Sequence, residues 1–177
     1  MKKIFLTIAV FALAVISSTD TFAQEFDPLD KSPMDVARYP YNWRNPDKVV
    51  KVVYSRPQLK GRSVEKLAPN GKRWRLGANE ATEITFYKEV NFGGKNIKPG
   101  TYTMYAIPGE KEWVVAISNQ LNVWGTYFHK PENDVLRVKC SVEKSDKEYE
   151  AFTIAFGDDM TMYLAFGKTK VIIPIKE

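Results

Sequence analysis

The chain has 177 residues, a formal net charge of +5, one cysteine and one histidine. A single cysteine excludes an internal disulfide, and one histidine beside one cysteine leaves too few ligands for a zinc site. The 26 lysines and arginines are scattered along the chain, which favours a solvated basic surface over nucleic-acid binding.

The amino terminus has the pattern of an export signal. Lys2 and Lys3 precede an apolar run at residues 4–16, and Thr21 and Ala23 supply the small residues that a signal peptidase recognises. A retained membrane anchor is the alternative, but the run is shorter than the roughly 20 residues that span a bilayer. We therefore predict a signal peptide at 1–23, cleavage after Ala23, no retained anchor, and a periplasmic or secreted protein.

Residues 24–47 are predicted to form an extended N-terminal arm with one short helical turn near 33–38. Prolines interrupt regular structure at four positions: Pro28, Pro33, Pro40 and Pro46. Tyr39, Tyr41 and Trp43 alternate within the arm. They are expected either to pack onto a sheet or to offer an aromatic platform for a sugar or peptide.

From residue 48 onward, apolar and polar residues alternate with a period of two between Gly, Pro and Asn turns, which predicts eight or nine short strands. Inward faces are expected at Val50, Val52 and Tyr54; Tyr102, Met104 and Ala106; Trp113, Val115 and Ile117; Leu136, Val138 and Cys140; and Phe152, Ile154 and Phe156. The sequence therefore predicts an all-β fold, with a single antiparallel β-sandwich or jelly-roll-like domain at 48–177 that carries long loops.

Polar chemistry is concentrated at residues 72–86. Arginines flank Trp74 there, and a Gly-Ala-Asn turn bearing Asn79 and Glu80 leads into an alternating strand. The other long irregular segment, 118–134, contains Trp124. Loops on a rigid sandwich are a common place for binding residues.

Several motifs together resemble one known family. They are Val-Tyr-Ser-Arg-Pro at 53–57, Trp-Arg-Leu-Gly-Ala-Asn-Glu-Ala-Thr at 74–82, Trp-Gly at 124–125, Asp-Val-Leu-Arg-Val at 134–138 and Ile-Pro-Ile at 173–175. Over nearly the whole predicted mature chain, the sequence is similar to domain-of-unknown-function family 2911, small exported bacterial proteins. The resemblance implies an exported single domain and supplies no catalytic residue.

The resemblance also groups polar residues from separate segments into one predicted ligand site: Arg56, Arg62, Arg75, Asn79, Glu80, Trp124, Asp134 and Arg137. Guanidinium groups suit carboxylates, phosphates and sulfates, so convergent arginines would bind a small anionic or hydroxyl-rich molecule without catalysis. The alternative is structural. Arg56, Arg62 and Arg75 would then pair internally, and the carboxylates expected to receive them are Glu80, Glu83 and Asp134.

Two further functions stay open. Glu80 and Asp134 are the best carboxylate pair for a glycan-acting hydrolase. The same residues could also serve a structural or envelope-interaction module. No phosphate-binding glycine loop is present, Asp158 and Asp159 suit a hairpin turn better than calcium, and no cofactor or metal is expected.

Overall fold

The computed structural model describes residues 25–177, and the predicted signal peptide lies outside them. In this range no helix has the length and apolar character needed to cross a membrane. The described residues form ten strands: β1 (Met34–Tyr39), β2 (Val50–Ser55), β3 (Thr82–Phe86), β4 (Val90–Phe92), β5 (Lys95–Ile97), β6 (Gly100–Ile107), β7 (Glu112–Ser118), β8 (Asp134–Phe156), β9 (Met162–Ile173) and β10 (Ile175–Lys176). One α-helix, α1 (Val64–Leu67), and one 3-10 turn, Pro131–Asn133, complete the regular structure of this range.

The strands build two antiparallel sheets, which confirms the predicted all-β, sandwich-like fold. Seven strands form a curled sheet in the order β1-β2-β3-β6-β7-β8-β9, and three form a small sheet in the order β10-β4-β5. The small sheet packs onto the large one through Phe92, whose ring lies 5.8 Å from that of Phe86. Both rings are fully buried.

The period-two pattern matches the core. Val50, Val52 and Tyr54 on β2 are buried, as are Trp113, Val115 and Ile117 on β7. Their alternate neighbours are more often exposed or half-buried, because successive side chains of a strand face opposite sides of the sheet. At the centre of the core, the Trp74 ring meets Trp113, Phe152 and Phe166 at centroid distances between 4.9 and 6.0 Å.

The predicted helical turn near 33–38 is wrong. This segment is the edge strand β1, which pairs with β2 from Met34 opposite Ser55 to Tyr39 opposite Val50. Pro33 and Pro40 bracket the strand, so neither removes a hydrogen bond from it. Ala37 is the one β1 residue buried against the core, which leaves a weak alternation signal in the sequence.

Strand β8 is long enough to take part in two regions of the fold. It pairs with β7 near its start, and its register with β9 shifts between Lys144 and Tyr149 and again before Thr153. Such irregularities bend a strand. The end of β8 consequently lies beside the chain that follows β2, where Leu59 N donates to Glu150 O and Phe152 N donates to Pro57 O.

Where these segments meet, side chains join β1, β2 and the residues that follow β2 to the end of β8. We call this region the seam, comprising residues 35, 54, 56–59 and 150–154. Arg56 donates to Phe152 O at 3.0 Å, Asp35 Oδ2 at 3.0 Å and Thr153 Oγ1 at 2.8 Å. Tyr54 Oη accepts a hydrogen bond from Ile154 N at 3.0 Å. The seam therefore closes through these side-chain contacts together with an isolated backbone bridge between Gln58 and Ala151, while no continuous ladder connects β1 to β8.

Candidate functional site

The central segment is fixed to the sheet by Trp74. Trp74 N donates to Ala106 O at 2.7 Å and Ala106 N donates to Trp74 O at 2.9 Å, so the indole enters the core. Backbone alternation then directs the flanking residues, Arg73 and Arg75, away from the core. Beyond Arg75 the chain turns back, and Thr82 N donates to Arg75 O at 3.1 Å.

This turn requires unusual backbone geometry. Leu76 and Asn79 have positive φ angles of 52° and 58°, a region in which Asn is favoured and Leu is rare. A methyl group on Gly77 would lie 3.0 Å from Ser55 O, so any larger residue would push β2 away from this turn. Thr82 Oγ1 also donates to Leu76 O at 2.6 Å, which holds the turn closed.

The second predicted loop lies directly against this turn. We call residues 119–133 the aromatic loop. Ala81 N donates to Val123 O and Gly125 N donates to Asn79 O, both at 2.9 Å. Glu80 and Trp124 are therefore opposite each other in an antiparallel bridge. Two segments that are distant in the sequence thus form one continuous surface.

The far end of the aromatic loop is anchored by a polar cluster around a buried carboxylate. His129 Nε2 lies 2.5 Å from Asp134 Oδ1, and the two side chains are only 1 % and 3 % exposed. Arg137 approaches Asp134 Oδ2 at 2.7 Å with both Nε and one terminal nitrogen. We call His129, Asp134, Arg137 and the adjacent Tyr105 the Asp134 cluster. Both carboxylate oxygens are occupied, which favours an anchoring role.

Tyr105 belongs to this cluster through its ring, whose centroid lies 4.4 Å from that of His129. Burial raises the pKa of Tyr105 to about 12, while Arg73 opposes the rise and Asp134 adds to it. Within residues 25–177, Tyr105 Oη and His129 Nδ1 are the two buried side-chain polar atoms without a hydrogen-bond partner.

A cavity of about 280 Å³ opens beside the central turn. We call it the arginine cavity; it is lined by Ser32, Pro57, Arg62, Leu67, Trp74, Arg75, Gly77, Ala78 and Asn79. None of these residues is acidic. Arg62 donates to Leu59 O and Gln58 O, and Arg75 donates to Asn79 O. Within the described part of the chain, neither arginine has a carboxylate within 4 Å.

The structure divides the predicted site residues among three places. Arg62, Arg75 and Asn79 line the arginine cavity, and Glu80 with Trp124 lies immediately beside it. Asp134 and Arg137 are in the Asp134 cluster, apart from the cavity. Arg56 lies in the seam and pairs with Asp35, a different carboxylate from those expected.

Sequence reasoning missed Ser32, Tyr105 and His129. Ser32 falls within the predicted arm, yet it is one of the residues that line the arginine cavity. His129 was set aside because one histidine cannot form a zinc site. Its position five residues before Asp134, at the end of an irregular segment, was the available signal for a buried histidine–carboxylate pair.

The remaining candidates have local roles. Tyr39 packs against Phe156 and donates from Oη to Asp158 O, whereas Tyr41 and Trp43 are exposed, so the three arm aromatics do not form one platform. Hydrogen bonds from Thr161 lower the pKa of Asp159 and close the β8–β9 turn. Across residues 25–177, no three His, Cys, Asp or Glu side chains are grouped as metal ligands.

Comparison with known proteins identifies one match. The model of a family described as protein of unknown function, DUF2911, matches residues 32–175. No curated protein and no solved structure matches the chain. The matched range begins at Ser32 and includes the seam, the arginine cavity, the aromatic loop and the Asp134 cluster.

Proposed function

The chain thus belongs to the DUF2911 family of proteins of unknown function, and on this premise we propose that it is an exported protein that binds a small anion in the arginine cavity without catalysis. One observation supports the proposal above the others. Two arginines without carboxylate partners in the described range share a cavity that has no acidic lining residue. Predicted export agrees with a binding function outside the cytoplasm.

The hydrogen-bonding capacity of the cavity suits an anion. Arg62 and Arg75 each retain N–H groups that donate to no acceptor in the described chain. The backbone N–H groups of Gly77 and Ala78 also donate no hydrogen bond to residues 25–177. Unbonded donors from a turn and from guanidinium groups favour carboxylate, phosphate or sulfate oxygens.

The charge and the volume of the cavity further restrict which ligands it can bind. A negative group about 4 Å from one guanidinium would gain roughly 4 kcal/mol of Coulomb energy at an effective dielectric constant near 20, before desolvation is subtracted. The cavity volume of about 280 Å³ corresponds to roughly nine water molecules at about 30 Å³ each. A charged group together with part of one small ring fills such a space.

The hydrolase alternative would need Glu80 and Asp134 to face one substrate. Asp134 is buried and bonded to His129 and Arg137, so its use as an acid or base would require both contacts to break. Glu80 is exposed beside the cavity. These contacts favour binding over hydrolysis. The structural alternative is supported by the seam, by the Asp134 cluster and by the bonds of Arg62 and Arg75 to nearby carbonyls, but it leaves the remaining N–H groups and the charge of both arginines unused.

Thermal unfolding of the purified protein against phosphate, sulfate and small carboxylates tests the proposal. A ligand that binds only the folded state stabilises it by about 2.7 kcal/mol at a concentration one hundred times its Kd. We expect a concentration-dependent rise in Tm that Arg75→Ala abolishes with little loss of stability. Arg44→Ala is the matched control, because Arg44 is an exposed arginine of the arm without an ion-pair partner in residues 25–177. A flat panel with an early-melting Arg75→Ala variant would instead support the structural alternative.

A further inference from the structure

The aromatic loop exposes an unusual amount of apolar surface for a segment so close to the arginine cavity. Trp124 is 51 % exposed, Tyr127 75 % and Phe128 67 %. Leu121, in the same loop, is also exposed. Grouped exposed aromatic residues are more often binding surfaces than scattered ones are.

Contacts around Gly125 place one of these rings beside a cavity arginine. A methyl group added to Gly125 would lie 3.0 Å from Tyr127 Cε2 and 3.4 Å from Arg75 Cζ. Tyr127 Cε2 and Arg75 Cζ are therefore separated by at most the sum of those two distances. Asn79 O accepts hydrogen bonds from both Arg75 Nη1 and Gly125 N, which joins the loop to the cavity wall.

The aromatic loop is held in place at both ends and across its middle. Val123 and Gly125 bond to the central turn, and the His129–Asp134 contact fixes the far end. Near the start of the loop, the Gln120 side chain bonds to residues near its far end: Nε2 donates to Phe128 O at 3.0 Å and Oε1 accepts from Lys130 N at 2.8 Å. The exposed rings thus project from an ordered support, which lowers the entropy cost of binding to them.

We propose that the ligand is an anionic saccharide; this inference rests on the function proposed above. Its carboxylate, sulfate or phosphate binds Arg62 and Arg75, and the apolar C–H face of its sugar ring packs on Tyr127. Asn79 and Ser32 supply an amide and a hydroxyl at the cavity for the sugar hydroxyls. The apolar face of an aromatic ring suits the C–H face of a sugar ring.

Isothermal titration calorimetry with paired probes tests this assignment on the whole protein. The pairs are glucose 6-phosphate with inorganic phosphate, and glucuronate with acetate; glucose is the neutral control. We expect each anionic sugar to bind about tenfold more tightly than its small anion, and glucose not to bind, because ring packing adds to the ionic contact.

Variants separate the two contacts. Tyr127→Ala should lower the affinity for the anionic sugars about tenfold and leave the affinities for phosphate and acetate unchanged, whereas Tyr127→Phe should keep the sugar affinity. Phe26→Ala, which removes an exposed ring from the arm, is the matched control and should have no effect. Arg75→Ala should abolish binding of all four anions.

Two results would overturn the saccharide assignment while leaving anion binding intact. One is equal affinity for sugars and small anions with no effect of Tyr127→Ala. The other is sedimentation with anionic phospholipid vesicles that depends on Tyr127, without sugar binding, which would assign the exposed rings to a membrane surface. Absence of binding by every anion would overturn the proposed function itself.

Discussion

The seam and the arginine cavity use the same residue type in opposite ways. At the seam, Arg56 donates to a carboxylate, a carbonyl and a hydroxyl. In the cavity, Arg62 and Arg75 donate only to backbone carbonyls within the described chain, and no carboxylate neutralises them. Arg56 and Arg75 both lie in distinctive motifs, so the motif alone does not indicate a binding residue. The internal partners of each arginine decide whether its charge and N–H groups are available to a ligand.

The Asp134 cluster contains both kinds of group side by side. The Asp134 carboxylate is bonded at each oxygen, whereas Tyr105 Oη has no hydrogen-bond partner in the described chain. If the hydrogen-bond partners of a side chain set its contribution to the free energy of unfolding, substitutions at Asp134, Arg56 and Tyr105 should have effects that decrease in that order.

Asp134→Ala should have the largest effect. It leaves the buried His129 ring without its partner and removes the anchor of the aromatic loop, and leaving a buried polar group unsatisfied typically costs about 1–3 kcal/mol. The partly exposed Arg137 also loses its carboxylate, so we expect a total loss of about 3 kcal/mol. Urea unfolding at neutral pH would measure the loss of free energy of unfolding. Glu112→Ala is the matched control, because Glu112 on β7 forms an exposed pair with Lys139 on β8. Its loss should stay below about 1 kcal/mol. Equal effects of the two substitutions would contradict the anchoring role of Asp134.

Arg56→Met should destabilise the fold by about 2 kcal/mol, because it removes charge-assisted hydrogen bonds that cross the seam and the Arg56 site is partly open to solvent. Arg56→Lys should recover little of this loss, since one ammonium cannot reproduce the three contacts of the guanidinium fork. The Tm shift produced by anions should persist in both variants. Loss of that shift at unchanged stability would mean that Arg56 belongs to the proposed anion site, and the contrast with Arg75 would then be wrong.

Most of the fold, but not every strand, could be predicted from the sequence. Period-two alternation was sufficient for the all-β fold, because burial of one sheet face is a local pattern. The buried position of Cys140 followed from the same pattern, and burial raises the pKa of this thiol to about 12. Edge strand β1 was missed, because only Ala37 is buried in it and the flanking prolines suggested irregular structure.

The separation of the site residues could not be predicted from the sequence. Arg56 and Arg75 both follow or flank strand-like segments in family motifs, and local sequence does not distinguish them. The acceptors that occupy Arg56 include Phe152 and Thr153, which are 96 and 97 residues away. Arg75 has its acceptor only four residues away, at Asn79. The bend of β8 brings Phe152 and Thr153 to Arg56. That bend depends on register shifts, which the alternation of apolar and polar residues does not specify.

Tyr105→Phe should have the smallest effect, within about 1 kcal/mol of wild type at pH 7, because the hydroxyl that it removes has no partner among the described residues. Urea unfolding measures this difference. A loss near that of Asp134→Ala would show that Tyr105 Oη makes a stabilising contact and would weaken the distinction between bonded and unbonded groups.

The same variant has a second signature in alkali. The pKa of Tyr105 is about 12 in the folded protein and its ordinary value is 10.0. Below pH 10 the phenol is protonated in both states and contributes no pH dependence. As pH rises from 10 toward 12, the unfolded state loses the proton first, so the free energy of unfolding of the wild type falls. Tyr105→Phe should therefore show a shallower decrease over this range. Cys140, whose raised pKa gives a decrease of the same sign, is present in both proteins and cancels from the comparison. Identical slopes would mean that the phenol is as well solvated in the folded state as in the unfolded chain, and therefore that the aromatic loop does not seal the sheet face beneath it.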